Sequence, residues 1–129
     1  MIDLKAARQD PEGYRAALAR RAAADDFDAL MATDARWRSL TERAEALRAA
    51  QRVSSRGRPS PAEIDQLRTL RDELAEAQAD LGLAAEQRDA LLARIPNLPD
   101  PTAADGLDEE DAQLVRTWGE PPKFGQNAV

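Results

Sequence analysis

The clearest order in the chain is a repeat of apolar positions. Trp37, Leu40, Ala44 and Leu47 follow the 3-4-3 spacing of a coiled-coil seam. The next two seam positions are Gln51 and Ser54, so the stripe fades. It resumes as Leu67, Leu70, Leu74, Ala77, Leu81, Ala84, Arg88, Leu91 and Ile95, a heptad seam with one polar member, Arg88. The spacing predicts one helix from near Asp28 to about Ser55 and another through 61–95, a rod of roughly 50 Å. Pro96 stops the second helix, and Ser60-Pro61-Ala62-Glu63 starts it with the signature of a capping box. Between them Ser54-Ser55-Arg56-Gly57-Arg58-Pro59-Ser60 carries the strongest turn signal in the chain. Two heptad helices joined by a loop this short fold back antiparallel.

Upstream, Asp10-Pro11-Glu12 reads as a helix start, with the helix running to about Ala24 and Tyr14 and Leu18 on one face. Asp3 is placed to cap a short turn through Arg8. The second rod outreaches the first, so the N-terminal helix is expected to pack at its uncovered end. Gly82 weakens that rod by about 1 kcal/mol relative to alanine, and either permits a close approach or is tolerated. The expected architecture is all-α. It comprises a long antiparallel coiled-coil helical hairpin, a short N-terminal helix packed at its base, and an extended C-terminal tail. The corresponding boundaries are 1–27 for the N-terminal segment and 28–95 for the hairpin, with its tip near 54–60. Residues 1–99 form one unit, and 100–129 an acidic, proline-containing linker or tail, which Leu114, Val115 and Trp118 are expected to pin back. Trp37 and Trp118 are read as core or anchor residues rather than stacking platforms for bases.

Composition narrows the chemistry. The 129 residues contain no Cys and no His, which removes disulfides, thiol and imidazole catalysis and Cys/His zinc sites. The glycines stand apart, so no phosphate-binding loop of the dinucleotide or Walker type is present. No metal site is expected either, because Asp108–Asp111 lacks the alternating ligand spacing of a calcium loop. Neither a signal peptide nor a long apolar run is found, so a cytoplasmic protein without membrane or cofactor is expected.

Charge adds more. The net charge is −6, but it is unevenly spread. Residues 96–129 carry −5, and residues 1–32 carry −1. The hairpin is neutral overall and hides a gradient. Around its turn, Arg43, Arg48, Arg52, Arg56, Arg58, Arg68 and Arg71 face only Glu45, Glu63 and Asp65. Arginine matches phosphate geometry bidentately, and a rigid rod with a basic end suits an arm that reaches for phosphates. Such charge is also what a solvated helix surface carries.

The start MIDLKAARQDPEGYRAALARR, the hairpin, IPNLP at its exit and RTWGEPPKF in the linker together resemble the N-terminal arm of bacterial-type seryl-tRNA synthetases. The similarity runs through 1–124, and Pro96-Asn97-Leu98-Pro99 and Trp118-Gly119-Glu120-Pro121 are its most specific parts. The resemblance implies a role in translation and protein biosynthesis as a tRNA-binding arm. That arm would lie against the long variable arm of serine tRNA, between it and the TΨC side, through backbone and shape contacts. The seven arginines are the RNA-contacting candidates. The family's arm projects from a catalytic domain, a class II aminoacyl-tRNA synthetase body, that activates serine with ATP. The motifs of that domain have no counterpart in these residues, so no catalysis is expected of this chain alone. The hairpin tip is also about eight residues shorter than the family pattern, near one helical turn or 6 Å of reach. The alternative is a stand-alone paralogue of the arm acting as a helical docking module, binding a synthetase or another helical protein through the seam near Gln51 or the face of Leu83 and Leu91.

Overall fold

The computed structural model describes residues 2–54 and 60–120. Among them are four α-helices and no strand: α1 (Leu4–Gln9), α2 (Pro11–Ala19), α3 (Ala24–Ser54) and α4 (Pro61–Arg94). Helices α3 and α4 pack antiparallel along their length, and α1 and α2 fold against the end where α3 begins and α4 stops.

Local chemistry sets most of the helix starts. The Asp3 carboxylate accepts from the amides of Lys5 (2.8 Å) and Ala6 (3.3 Å), so the expected short turn is a true helix, α1. The Asp10 carboxylate accepts from the Gly13 amide at 3.0 Å, with Pro11 in the first turn of α2. At α4 the capping box closes in both directions. The Ser60 hydroxyl accepts from the Glu63 amide at 3.4 Å, and the Glu63 carboxylate accepts from the Ser60 amide at 2.6 Å.

Helix α2 ends at Ala19, short of the expected Ala24, and α3 begins at Ala24, upstream of the expected Asp28. The cause is a Schellman turn. The Ala23 amide donates to the Leu18 carbonyl and the Ala22 amide to the Ala19 carbonyl, each at 3.0 Å, with Ala22 in the left-handed region at φ 51°. That position favours glycine, and the alanine here gives no outward sign of the turn. What holds it is packing: Leu18 and Ala23, flanking the turn, are both buried.

The base is the larger of the two hydrophobic clusters. Ile2, Ala7, Leu18, Ala23, Phe27, Leu30 and Ile95 are buried together, with Leu4, Tyr14, Met31, Leu91 and Leu92 packed against them. Tyr14 stacks on Phe27 with ring centroids 6.2 Å apart. Full burial of Leu18, Phe27 and Leu30 contributes about 1.5–3 kcal/mol each. Because α3 starts at Ala24, its own first turn reaches the end of α4, where Asp26 pairs with Arg94. Sharing one apolar cluster with Leu91, Leu92 and Ile95, the N-terminal helices pack chiefly on α3. Under them, Asp34 is fully buried and forked by Arg8, whose Nε and Nη2 donate to its two oxygens at 2.8 Å each. Arg38 adds a third contact at 3.4 Å.

Along the rod the apolar seam is thin. Ala44, Leu74 and Ala77 are buried with Leu47 and Leu81 beside them, and Ala84 is buried farther toward the base. Arg88, the polar member of the seam, lies with its guanidinium 4.1 Å from the centre of the Trp37 ring, a cation–π contact that explains its place there. Nothing lies within 4 Å of where a side chain on Gly82 would sit, so that glycine is tolerated rather than required.

Between Ile95 and Glu120 the described chain has no α-helix or strand; a turn over Asp100–Ala103 and a 3-10 turn at Glu109–Asp111 punctuate it. The expected anchors do not anchor. Leu114, Val115 and Trp118 are 84%, 94% and 89% exposed, because no described surface lies beneath them. The tail is held instead near its root, where the Arg20 guanidinium reaches Asp100, Ala103 and Asp105.

Candidate nucleic-acid interface

The heptad register sorts the arginines before any side chain is considered. Along α3, Arg48 and Arg52 follow the seam positions Leu47 and Gln51, whereas Arg43 precedes Ala44 and falls on the opposite flank. Along α4, Arg71 follows Leu70 and lies on the flank that meets the Arg48–Arg52 side in an antiparallel pair. The structure then brings three of them to one place. Arg52, Arg68 and Arg71 line a groove of about 420 Å³ toward the tip, floored by Gln51, Ile64 and Leu67. Arg43, Arg48, Arg52, Arg68 and Arg71 are all exposed, and Arg48 lies one turn along α3 from Arg52. Arg56 and Arg58 lie outside the described residues.

Neither Glu63 nor Asp65 lines the groove. The Glu63 carboxylate is turned back to the start of α4, and its hydrogen bonds with the Ser60 amide and side chain hold it below the usual carboxylate range. Asp65 pairs with Arg68 at 3.1 Å, but both side chains are 75% exposed, so the pair is water-screened and weak. Among the described residues Arg43, Arg48 and Arg71 make no ion pair. Guanidinium groups in this state can exchange water for phosphate oxygens at low cost.

The opposite end of the rod uses its charges differently. Arg8, Arg15, Arg88 and Arg94 all face carboxylates: Asp34, Asp28, Asp89 and Asp26. The Arg8 fork holds the Asp34 carboxyl below its ordinary range against the opposing effect of burial. Asp34 is the buried charge that the heptad reading passed over. A signal for it existed: Phe27, Leu30, Asp34 and Trp37 continue one 3-4-3 row, so an acid interrupts an apolar stripe. The acids of the tail fold on their own backbone, the Asp108 carboxylate accepting from the Glu110 amide and that of Asp111 from the Leu107 amide, each at 3.1 Å.

The two members of the Leu83 and Leu91 face differ in exposure. Leu91 packs into the base, leaving Leu83 alone at 58% exposed. No helix among the described residues is long and apolar enough to cross a membrane.

A helical hairpin with a buried, ion-paired base and an arginine-lined groove toward its tip defines an arm, a class of domain that presents a rigid rod away from its anchorage. The chain belongs to the seryl-tRNA synthetase N-terminal domain family, whose model matches residues 1–99. It is 38% identical over 135 aligned residues to the serine–tRNA ligase of Paracoccus denitrificans, covering 96% of this chain and 31% of that ligase. Against the serine–tRNA ligase of Thermomicrobium roseum it is 34% identical over 131 residues (96% and 29%), and against that of Dehalococcoides mccartyi 32% over 124 (96% and 30%). The chain therefore spans about 30% of the length of these curated relatives. The similarity continues past residue 99 into the tail. The 135 aligned positions of the Paracoccus match exceed the 129 residues here, so that ligase carries residues this chain lacks, whereas the Dehalococcoides match requires no such excess.

Proposed function

We propose that this domain binds a tRNA with a long variable arm, the serine type, through the arginine flank of its distal hairpin. The observation that carries the reading is the convergence of Arg52, Arg68 and Arg71 on one groove toward the tip, with Arg48 one turn away. A double-stranded RNA arm offers phosphates and 2′-hydroxyls in a regular array, and a rod with guanidinium groups along one flank can match their spacing without reading bases. Arg43, on the other flank, would touch a second strand or none. Arg56 and Arg58 remain candidates from sequence. The acidic tail leaves the molecule at the far end of the rod, so the field orients an approaching polyanion toward the tip. The family membership supports the same reading, since the curated relatives are serine–tRNA ligases. No step of chemistry is assigned to any residue here.

The test is binding of a serine tRNA and of a tRNA with a short variable loop, each at two salt concentrations. If about three phosphates are neutralised, log affinity falls with log salt at a slope of about −2 to −3. Replacing Arg48, Arg52, Arg68 and Arg71 by Ala is expected to flatten that slope while the helical circular-dichroism signal is kept. Equal binding of both tRNAs reduces the flank to a generic basic patch. No binding at low salt ends the reading.

A further inference from the structure

The tail departs from the base through a contact that neither the hairpin nor the arginine flank requires. Arg20 caps the end of α2, and its side chain, 26% exposed, is held by a turn 80 to 85 residues downstream. All three guanidinium nitrogens are engaged. Nε donates to the Asp105 carboxylate, Nη1 to the Asp100 carbonyl at 3.3 Å, and Nη2 to the Ala103 carbonyl. The turn is itself prepared for this. The Asp100 carboxylate accepts from the Thr102 amide at 2.8 Å and hydroxyl at 2.6 Å, and the Ala103 amide donates to the Asp100 carbonyl at 3.0 Å. Two backbone carbonyls and a carboxylate are thereby presented within six residues to one planar, forked cation. Arg20, Leu98, Pro99, Asp100 and Ala103 line a shared hollow of about 250 Å³.

We propose that Arg20 is a latch: a positioning residue that fixes the direction in which residues 106–120 leave the base of the arm. With the large apolar residues of the tail exposed, Arg20 supplies the side-chain hydrogen bonds that tie this turn to the base. The acidic stretch from Asp105 to Asp111 is thereby held at the base, at the opposite end of the rod from the arginine groove. Lysine keeps the charge but has no fork, so it can satisfy one acceptor well and not three.

The absence of cysteine in the chain makes the test direct. Spin labels on Ala16→Cys in α2 and Leu107→Cys in the tail, both exposed sites, report their separation by pulsed electron resonance. The parent is expected to give one narrow distance distribution. Arg20→Ala and Arg20→Lys are each expected to broaden it severalfold, with thermal melting and helicity of the hairpin unchanged. Asp105→Asn, which removes the charged acceptor from the other side, should broaden it less, and this variant decides the matter if Arg20→Ala fails to fold. A parent distribution already broad, or an Arg20→Ala distribution as narrow as the parent's, overturns the proposal. A loss of stability without broadening makes Arg20 a packing residue only and overturns it equally.

Discussion

Arg8→Ala is expected to be the most damaging exposed-side-chain replacement in the domain. Its partner Asp34 is fully buried, and Arg8 supplies two of the three cationic contacts to it, both at 2.8 Å. Removing one partner of a buried ion pair costs about 3–5 kcal/mol, because the remaining charge keeps its desolvation penalty. Two features reduce that figure here. Arg38 stays at 3.4 Å, and Arg8, itself about one-third exposed, is the lid over Asp34, so its loss admits water. The expected cost is about 2–3 kcal/mol, a fall in Tm of roughly 8–12 °C at about 4 °C per kcal/mol. The assay is urea unfolding of parent, Arg8→Ala, Asp34→Ala and the double variant. The double variant should be clearly more stable than the sum of the singles predicts, since nothing charged is then left stranded. Acid provides an independent check. Arg8 lowers the Asp34 pKa in the native state, so its stabilisation is complete above the ordinary carboxylate value, about 3.9, and is lost as pH falls through the lowered native one. The gap between parent and Arg8→Ala should therefore narrow below about pH 4. A single variant within about 0.5 kcal/mol of the parent, or additive effects in the cycle, would refute the account of this site.

Three further substitutions test the backbone. Gly82→Ala should stabilise the domain by about 1 kcal/mol, read as a higher urea midpoint, because the added methyl meets nothing within 4 Å and the helix gains propensity. Ala22→Gly should raise stability by about 0.5 kcal/mol, since relief of the left-handed strain at φ 51° outweighs the entropy glycine adds to the unfolded chain; a lower Tm would contradict the Schellman reading. Ser60→Ala should cost about 1 kcal/mol by removing the hydroxyl that accepts from the start of α4, and unchanged thermal unfolding would argue against the capping box.

The amino-acid sequence by itself determined the hairpin. A 3-4 repeat of apolar residues, a capping box and two prolines are local signals, and local signals survive without knowledge of what packs where. The same holds for the basic character of the tip, because charge can be counted along a chain, and for the motifs that gave away the family. The tertiary structure alone decided which charges are available. Arg8, Arg20, Arg48 and Arg71 look alike in sequence, yet the first is locked on a buried carboxylate and the second is wrapped by a distant turn. The last two make no ion pair among the described residues. It also decided where α2 ends, since the left-handed turn at Ala22 carries no glycine and exists because Leu18 and Ala23 must be buried on either side of it. And it decided that Leu114, Val115 and Trp118 stand in solvent while Arg20 reaches the turn at the root of the tail. Hydrophobicity states only that a side chain would gain by burial; whether a surface lies within reach to bury it depends on the path of the whole chain.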